Sequence, residues 1–499
     1  MKLLRALLVS VGFLPPAVPA VTAGSPPDVL LIMPDQMRGD CMSARSPPVV
    51  RTPNLDRLAR GGALFTSAYT TCPSCIPARY SLLTGLYPST SGVVGFKGKP
   101  ISSPTLPQLL TRAGYTTILA GRNMHQVPAN EPYGYQKEIL GSTYVSGDQY
   151  DTFLKNAAAE SGGIRKLFES LGVTANGWQA KPWPLSDDLH PVAWIVRQAR
   201  ETLSQVSPNS PLFLTASFFS PHPPLFPPKK YFDYYYNAKL PAPAHGDWVD
   251  WAALSPKGDA QGHRVLLEGE ALRAAQAGYF GLIEQLDHEV APLIDDFKAR
   301  SEKVHRPWLI VFTTDHGEML GDHGFFRKCE PYEGSANIPF LISGSPELGF
   351  RKNLRLDRHL VCLEDIMPTL LALAGIKSPE TMDGINLTAT LEGDPKPIRP
   401  WLHLEHADCY SKAQAFHALT DGHYKYIWRP LDGSEQLFDL EKDAHEEHDL
   451  AKDSSRKPEL EKSRNRLIRL LANRPEGFSD GRKLIAGRPY PPIQQKGKG

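Results

Sequence analysis

The sequence predicts an α/β fold in which a large mixed, mostly parallel sheet is sandwiched by helices and is followed by a smaller C-terminal antiparallel sheet plus helix. Short apolar runs alternate with helical patterns through the first 390 residues, an alternation typical of α/β proteins. Strand-like runs then follow one another directly between residues 415 and 440. The chain has 499 residues, which is more than one core usually holds.

The predicted strands of the large sheet are continuous apolar runs, which is typical of strands buried on both faces. They cover residues 28–33, 116–120, 211–218, 308–313 and 339–342. One intervening helix is expected to begin with Thr52 as its cap and Pro53 in its first turn, and a long amphipathic helix is expected over 271–298. The prolines of 221–228 predict an irregular loop after the third strand.

These patterns divide the chain into a signal peptide over residues 1–23, an α/β domain over 24–390 and a C-terminal α+β subdomain over 391–499. In the last part, turns at Asp421-Gly422 and Asp432-Gly433 separate the strands, and a helix is expected over 458–471. The tail after Arg474 is expected to be loosely ordered.

The N-terminal residues have the pattern of a secretory signal. Lys2 and Arg5 precede a short apolar run, which ends in small residues at Val21-Thr22-Ala23. Prolines interrupt that run, and it is too short to span a bilayer. We therefore expect a secreted or periplasmic protein with no membrane span.

The balance of charges gives the protein no overall electrostatic field that would attract a polyanion such as nucleic acid. The 55 Lys and Arg residues nearly cancel 54 Asp and Glu residues, for a net charge of +1, so no nucleic-acid partner is expected and an anionic substrate must be met locally. Six cysteines are few for a disulfide scaffold, although export would permit a bridge. Cys72 and Cys75 form a C-x-x-C, but without a second such pair a zinc site has little support.

The most informative motif is Cys75-Ile76-Pro77-Ala78-Arg79. Pro77 suits a first helical turn, so Cys75 should lie at a helix N-terminus, where free N–H groups favour an anion, with Arg79 one turn further on. The run resembles the C-x-P-x-R signature of type I sulfatases in the alkaline phosphatase superfamily. The resemblance implies that a formylglycine-generating enzyme converts Cys75 to formylglycine (3-oxoalanine), whose hydrated aldehyde is the nucleophile. Cys72 lacks the proline and arginine at these offsets.

Two strand ends carry candidate metal ligands. Asp35 and Gln36 follow the first strand, and Asp315 and His316 follow the fourth, so they should meet at the carboxyl edge of the sheet. The resemblance implies that these four residues bind Ca²⁺, rather than Mg²⁺, facing the derivative of Cys75. Gln36 stands where the family commonly has aspartate, and His316 stands where asparagine is frequent. Both changes lower the negative charge and leave the identity of the metal open.

Three further blocks carry candidate catalytic residues. The run from Gly121 to His125 is similar to a G-K-x-H or G-K-x-x-H element, the longer spacing being that of iduronate-sulfatase-like members, with Arg122 in place of lysine. His222 follows the strand at 211–218, and Lys328 ends the block that begins at Gly321. The resemblance places His222 and Lys328 on the leaving-group side of the site.

The implied reaction is hydrolysis of a sulfuric ester with release of inorganic sulfate. In it His222 protonates the leaving oxygen, Lys328 stabilises the charge of the sulfate, and His125 takes a proton from the nucleophile's second hydroxyl. Export suggests a sulfated saccharide as substrate. One alternative is a phosphonate or phosphate diester hydrolase of the same superfamily, which relative activity on the two ester classes would separate. Another is an inactive carbohydrate-binding relative, against which the intact set of candidate residues argues.

Overall fold

The computed structural model describes residues 25–45, 50–143, 145–255 and 263–494, and the expected signal peptide lies outside these ranges. Its strands are β1 Asp28–Asp35, β2 Gly62–Phe65, β3 Ala68–Tyr69, β4 Thr116–Gly121, β5 Lys137–Leu140, β6 Leu212–Pro221, β7 Trp308–Thr313, β8 Phe340–Gly344, β9 Leu354–Leu356, β10 Val361–Cys362, β11 Leu402–His406, β12 Phe416–Thr420, β13 Tyr424–Trp428 and β14 Glu435–Asp439. Its helices are α1 Pro53–Arg60, α2 Cys75–Thr84, α3 Pro88–Ser91, α4 Leu106–Arg112, α5 Gln149–Ala157, α6 Ile164–Ser170, α7 Pro191–Gln205, α8 Lys229–Asn237, α9 Gly269–Lys303, α10 Glu333–Ala336, α11 Ile366–Leu373, α12 Thr388–Glu392 and α13 Lys457–Leu471.

The large sheet has eight strands in the order β5-β4-β6-β1-β7-β8-β2-β9. Adjacent strands of this sheet are parallel, except that β8 runs antiparallel to both of its neighbours, β7 and β2. The predicted mixed, mostly parallel sheet is therefore confirmed, and all five predicted runs are strands. β6 is longer than predicted because it continues into the proline segment as far as Pro221.

Each face of this sheet packs against helices. Along β1, Leu30 and Ile32 face a core shared with α7 and α9, whereas Val29 and Leu31 face a second core shared with α2 and α11. Successive side chains of a strand point to opposite faces, so an all-apolar strand fills both cores. Each such buried side chain contributes roughly 1.5–3 kcal/mol of transfer free energy. No helix in the described part of the chain is long and apolar enough to cross a membrane.

The first helix begins at Pro53 as predicted, but its cap differs from the prediction. Thr52 makes no side-chain hydrogen bond to the first turn. Its hydroxyl instead accepts from the backbone N–H of Ser43 at 2.8 Å and lies 3.4 Å from Asp56. The Thr52 hydroxyl is therefore hydrogen-bonded to the preceding loop and does not cap α1.

The C-terminal sheet, β11-β12-β13-β14, is antiparallel as predicted and is buried on both faces. One face packs on the large domain through residues such as Tyr332, and the other packs on α13. The tail after Arg474 was expected to be loosely ordered, and up to residue 494 it is not. Phe478 and Tyr490 are buried in the same core as α13, because aromatic rings in this short segment cover the open face of the sheet.

Candidate active site

The central position of β1 brings three strand ends together. β1 pairs in parallel with β6 on one side and with β7 on the other. The carboxyl ends of the three strands therefore meet at one edge, with Asp35 ending β1, Asp315 and His316 following β7, and His222 following β6. Parallel α/β sheets commonly bind ligands at this edge.

Cys75 faces the same edge from the first residue of α2. Its Sγ lies 3.2 Å from His316 Nε2 and 3.9 Å from Asp35 Oδ1, and it accepts a hydrogen bond from Lys328 Nζ at 3.1 Å. The side chain is fully buried, and burial raises the pKa of the thiol while Lys328 opposes that rise. The residue singled out by the sequence motif is thus held at the centre of the site.

Four side chains converge closely enough to hold one cation. One ligand atom each from Asp35, Cys75, Asp315 and His316 lies within 4.8 Å of all the others. His316 is arranged for such a role, because its Nδ1 lies 2.9 Å from the carbonyl oxygen of Gly317 and must donate to it. The lone pair of Nε2 is then directed at the cluster. Burial lowers the pKa of His316 to about 3, so the ring is neutral and can act as a ligand.

The guanidinium groups of two arginines bind the Oδ2 atoms of Asp35 and Asp315. Arg79 donates to Asp35 Oδ2 at 3.0 Å and to Asp315 Oδ2 at 2.8 Å, and Arg122 forms a close ion pair with Asp35 Oδ2. Burial alone would raise the pKa of Asp315, but His316, Arg79 and Arg122 hold it well below its usual range. Asp35 Oδ1 and Asp315 Oδ1 remain on the side of His316 Nε2, at 3.8 and 3.7 Å.

Gln36 lies at the site with its side chain hydrogen-bonded at both ends. Its Oε1 accepts from Lys328 Nζ at 2.9 Å, and its Nε2 donates to Glu318 Oε2 at 2.5 Å. Its φ of +66° lies in the left-handed region, which is uncommon for residues other than glycine. This turn places its backbone N–H 3.1 Å from Asp315 Oδ1. Gln36 therefore connects Lys328 to the carboxylates.

His125 contacts Arg122 directly, and His222 is connected to Arg122 through the Phe219 ring. His125 Nδ1 accepts from Arg122 Nη2 at 3.1 Å, while the Arg122 guanidinium lies over the Phe219 ring, which contacts His222. Burial, with Arg122 as the next cause, lowers the pKa of His125 to about 3. Burial followed by Lys328 and Arg122 also lowers the pKa of His222. The structure thus brings together all ten residues that the sequence analysis selected.

Other residues at the site were missed by the sequence analysis. Glu318 is buried and accepts hydrogen bonds from Gln36 and from the backbone N–H groups of Leu320 and Arg327. Its position three residues after Asp315 could have indicated that it belongs to the site. No sequence pattern could have indicated Tyr410, because it lies in the C-terminal subdomain. Its ring packs 4.2 Å from the Arg327 guanidinium, and burial first, then neighbouring thiols including that of Cys75, raise the pKa of its hydroxyl.

A mostly parallel sheet with a buried cysteine at a helix N-terminus and a carboxylate–histidine cluster at its carboxyl edge defines an ester hydrolase of the alkaline phosphatase superfamily. Comparison with known families narrows this class. The family model for sulfatases matches residues 27–376, and that for the C-terminal part of N-sulphoglucosamine sulphohydrolase matches 321–473. The chain belongs to the sulfatase family and is a sulfuric ester hydrolase.

The similar proteins include two sulfatases and one phosphonate ester hydrolase. The chain is 35% identical to an arylsulfatase of Clostridium perfringens over 93% of its own length and 98% of the relative's. It is 31% identical to a choline-sulfatase of Rhizobium meliloti, over 86% and 83% of the two chains. Among solved structures, a phosphonate monoester hydrolase of Agrobacterium radiobacter superposes with a TM-score of 0.76 at 26% identity, covering 89% and 95%.

Proposed function

We propose that this sulfatase removes sulfate from a carbohydrate, using Cys75 matured to formylglycine beside one divalent cation. The single observation that supports this most strongly is the convergence of Cys75 with Asp35, Asp315 and His316 within 4.8 Å. A cysteine that served only the core would not need two carboxylates, a neutral imidazole and Lys328 around its sulfur.

The donor set fits a cation. Asp35 Oδ1, Asp315 Oδ1 and His316 Nε2 would hold it, while Arg79 and Arg122 occupy the opposite carboxylate oxygens. Gln36 would add an oxygen only by giving up part of its hydrogen bond to Lys328. Carboxylate and amide oxygens favour Ca²⁺, and the imidazole nitrogen also admits softer divalent ions. When bound, the cation lowers the pKa of the nucleophile's hydroxyl and offsets the charge of the sulfate.

The residues around the nucleophile then have distinct roles. Arg79 holds the two carboxylates in place, and the ammonium of Lys328, 3.1 Å from Cys75 Sγ, is positioned to stabilise a sulfate transferred there. His222 Nδ1 lies 2.7 Å from the carbonyl oxygen of Pro223 and donates to it, so Nε2 is the nitrogen that would face the leaving oxygen. Because burial, Lys328 and Arg122 lower the pKa of His222, Nε2 can deliver a proton only if the anionic substrate offsets these charges and lets the ring be protonated. Arg122 donates to Nδ1 of His125, which places the proton of the neutral ring on Nε2. His125 could therefore take the proton of the nucleophile's second hydroxyl only at Nδ1, after Arg122 gives up this hydrogen bond.

A carbohydrate is the proposed substrate class for two reasons. The expected signal peptide would deliver the enzyme to a compartment where sulfated polymers occur. In addition, the Phe96 ring is 42% exposed beside His125 and offers an apolar face to a sugar ring. The similarity to a phosphonate monoester hydrolase keeps phosphonate esters as the second candidate.

Two measurements test the proposal. In a host that makes formylglycine, the peptide containing Cys75 should react with a hydrazide, and active enzyme carrying only a thiol there would contradict the maturation. A panel of defined sulfated saccharides, assayed beside nitrophenyl sulfate and a phosphonate monoester, should show release of sulfate from at least one saccharide at the highest kcat/KM. If the phosphonate monoester is the best substrate, the second candidate is correct.

A further inference from the structure

Two cysteines outside the catalytic cluster lie directly beside each other. Cys329 follows Lys328 in the large domain, and Cys409 lies in the loop after β11 of the C-terminal subdomain, 80 residues further along the chain. Their Sγ atoms are 2.9 Å apart. We propose that Cys329 and Cys409 form a disulfide bond in the mature protein, joining the Lys328 loop to the C-terminal subdomain.

The backbone around Cys329 holds its sulfur in this place. Cys329 and Arg327 have φ values of +71° and +74°, a region that side-chain-bearing residues rarely adopt. The backbone N–H of Cys329 donates to the carbonyl oxygen of Pro73 at 2.9 Å, and Gln414 donates to the carbonyl oxygen of Lys328 at 3.4 Å. The thiol of Cys329 therefore has a fixed position facing the loop that carries Cys409.

The different exposure of the two thiols gives a route to the bond. Cys329 is fully buried, whereas Cys409 is only half-buried. The thiolate of Cys409 can attack an external disulfide, such as oxidised glutathione, and form a mixed disulfide. The sulfur of Cys329 then attacks that of Cys409 and expels the second glutathione thiol. The two protein thiols lose two electrons and two protons, and the glutathione disulfide gains them.

A metal site is the competing interpretation, because His406 lies close to both sulfurs. Both ring nitrogens of His406 are already engaged, however. Nδ1 must donate to the carbonyl oxygen of Ala407, so Nε2 accepts from the hydroxyl of Ser74 at 2.7 Å. A metal would have to displace Ser74, which precedes Cys75 at the start of α2. The pair of thiols without His406 favours the covalent bond.

The expected consequence is a redox-dependent stability. A bond that closes a loop of 80 residues restricts the unfolded chain, and losing it should lower Tm by about 5 °C. The bond also ties the backbone next to Lys328 to the loop of Tyr410. That this bond forms in the cell rests on the proposed export, since exported compartments are oxidising. The ability of the pair to form it does not.

The experiment maps the bond in the full-length protein secreted by an expression host. The protein is denatured without reductant, its free thiols are alkylated, and its peptides are identified by mass spectrometry. We expect a linked peptide pair containing Cys329 and Cys409, with Cys41, Cys72 and Cys362 alkylated. A second sample is prepared with reduced thiols and treated with oxidised glutathione, so a wrong export assignment cannot hide a competent pair. Alkylation of both cysteines in both samples, a bond from either one to Cys72, or stoichiometric zinc on free thiols would each overturn the proposal.

Variants test the consequence for stability. Cys409→Ser and Cys329→Ser should each lower the Tm of the oxidised protein to that of reduced wild type, and the double variant should lower it no further. Cys41→Ser is the matched control, because it removes a buried thiol outside the pair and should keep the difference between oxidised and reduced protein. Equal Tm values for oxidised and reduced wild type would contradict the bond, and Cys409→Ser gives this comparison even if Cys329→Ser fails to fold.

Discussion

Among the described residues, two clusters combine histidine with carboxylate at the spacing of metal ligands, and they differ in how the protein binds their carboxylates. At the sheet edge, Asp35 and Asp315 give their outer oxygens to arginines and keep Oδ1 facing His316 Nε2. In the C-terminal sheet, Glu405 lies beside His403 and His417 with similar spacing. Composition alone would rank the two clusters equally.

The difference lies in which donor atoms the protein has already satisfied. Arg474 binds both carboxylate oxygens of Glu405 at 3.1 and 2.6 Å, and the hydroxyl of Tyr490 donates to one of them as well. His403 Nε2 and His417 Nδ1 lie 3.1 Å apart and bond to each other, and the His417 ring stacks on Tyr490. In the C-terminal cluster both carboxylate oxygens of Glu405 are therefore already bound, whereas Asp35 Oδ1 and His316 Nε2 at the sheet edge have only the sulfur of Cys75 as a hydrogen-bond partner in the described part of the chain.

The largest expected effect comes from removing the nucleophile of the sheet-edge cluster. Cys75→Ala should reduce turnover by at least about 10⁴-fold, since loss of a nucleophile removes the main route of reaction. Its Tm should stay close to that of wild type, because one small side chain is lost at a helix N-terminus. Cys72→Ala is the control and should keep activity. Substantial sulfate release by Cys75→Ala would assign the nucleophile elsewhere.

Substitution of Asp315 and substitution of Glu405 should differ in their effect on the metal content of the enzyme. Asp315→Ala should lose both the bound cation and at least about 10³-fold in turnover, because no ligand remains after β7 except His316. Glu405→Gln should keep both when assayed well below its Tm. Metal content by elemental mass spectrometry and initial rates provide the comparison. If wild-type enzyme stripped by a chelator still turns over at its untreated rate, the sheet-edge cluster is not a metal site.

Substitution of His222 sharpens the comparison between histidines. His222→Ala should lower the rate on a saccharide sulfate by about 10² to 10⁴, and that on nitrophenyl sulfate far less, because a sugar alkoxide needs a proton and nitrophenolate does not. His403→Ala should change both rates by the same small factor. Equal losses for His222→Ala on the two substrates would make it a binding or structural residue and would transfer the acid role to Lys328.

Substitutions in the C-terminal cluster should lower the stability of the protein and leave its catalytic rate unchanged. Arg474→Met leaves the buried carboxylate of Glu405 without its ion pair, which typically costs about 3–5 kcal/mol. Burial opposes ionisation, but Arg474 still holds the pKa of Glu405 below its ordinary 4.5. This stabilisation is present above pH 4.5 and is lost as the pH falls below it. The Tm difference between wild type and variant should therefore become smaller below that pH. The kcat of the variant should equal that of wild type at temperatures well below its Tm. A pH-independent difference would assign the loss to packing.

The smallest expected effect is the pH dependence of the buried imidazoles. Burial lowers the pKa of His403 from 6.5 to about 4, so between these values the unfolded chain binds a proton that the folded chain refuses. Stability should therefore fall as the pH drops from 6.5 to 4, by up to about 1.4 kcal/mol per pH unit for one histidine. His403→Gln should show a shallower slope of Tm against pH in this range. An unchanged slope would place the pH dependence in other histidines.

Local patterns in the sequence were sufficient to predict the main elements and to select the candidate residues. Apolar runs specify strands through local periodicity, and the offsets of Pro77 and Arg79 from Cys75 specify a helix N-terminus within five residues. Asp35 and Asp315 could be paired because carboxyl ends of parallel strands share an edge. These inferences need only contacts between near neighbours or a rule of topology.

Which atoms face each other depends on contacts between residues that lie far apart in the sequence. Lys328 reaches Cys75 across 253 residues, and Cys329 meets Cys409 across 80. The burial of Phe478 and Tyr490 in the tail likewise depends on a sheet that is formed elsewhere in the chain. The carboxylate of Glu405 is occupied only because Arg474, 69 residues further along the chain, binds it. Such pairings follow from packing and from the satisfaction of buried polar atoms, which no local periodicity encodes.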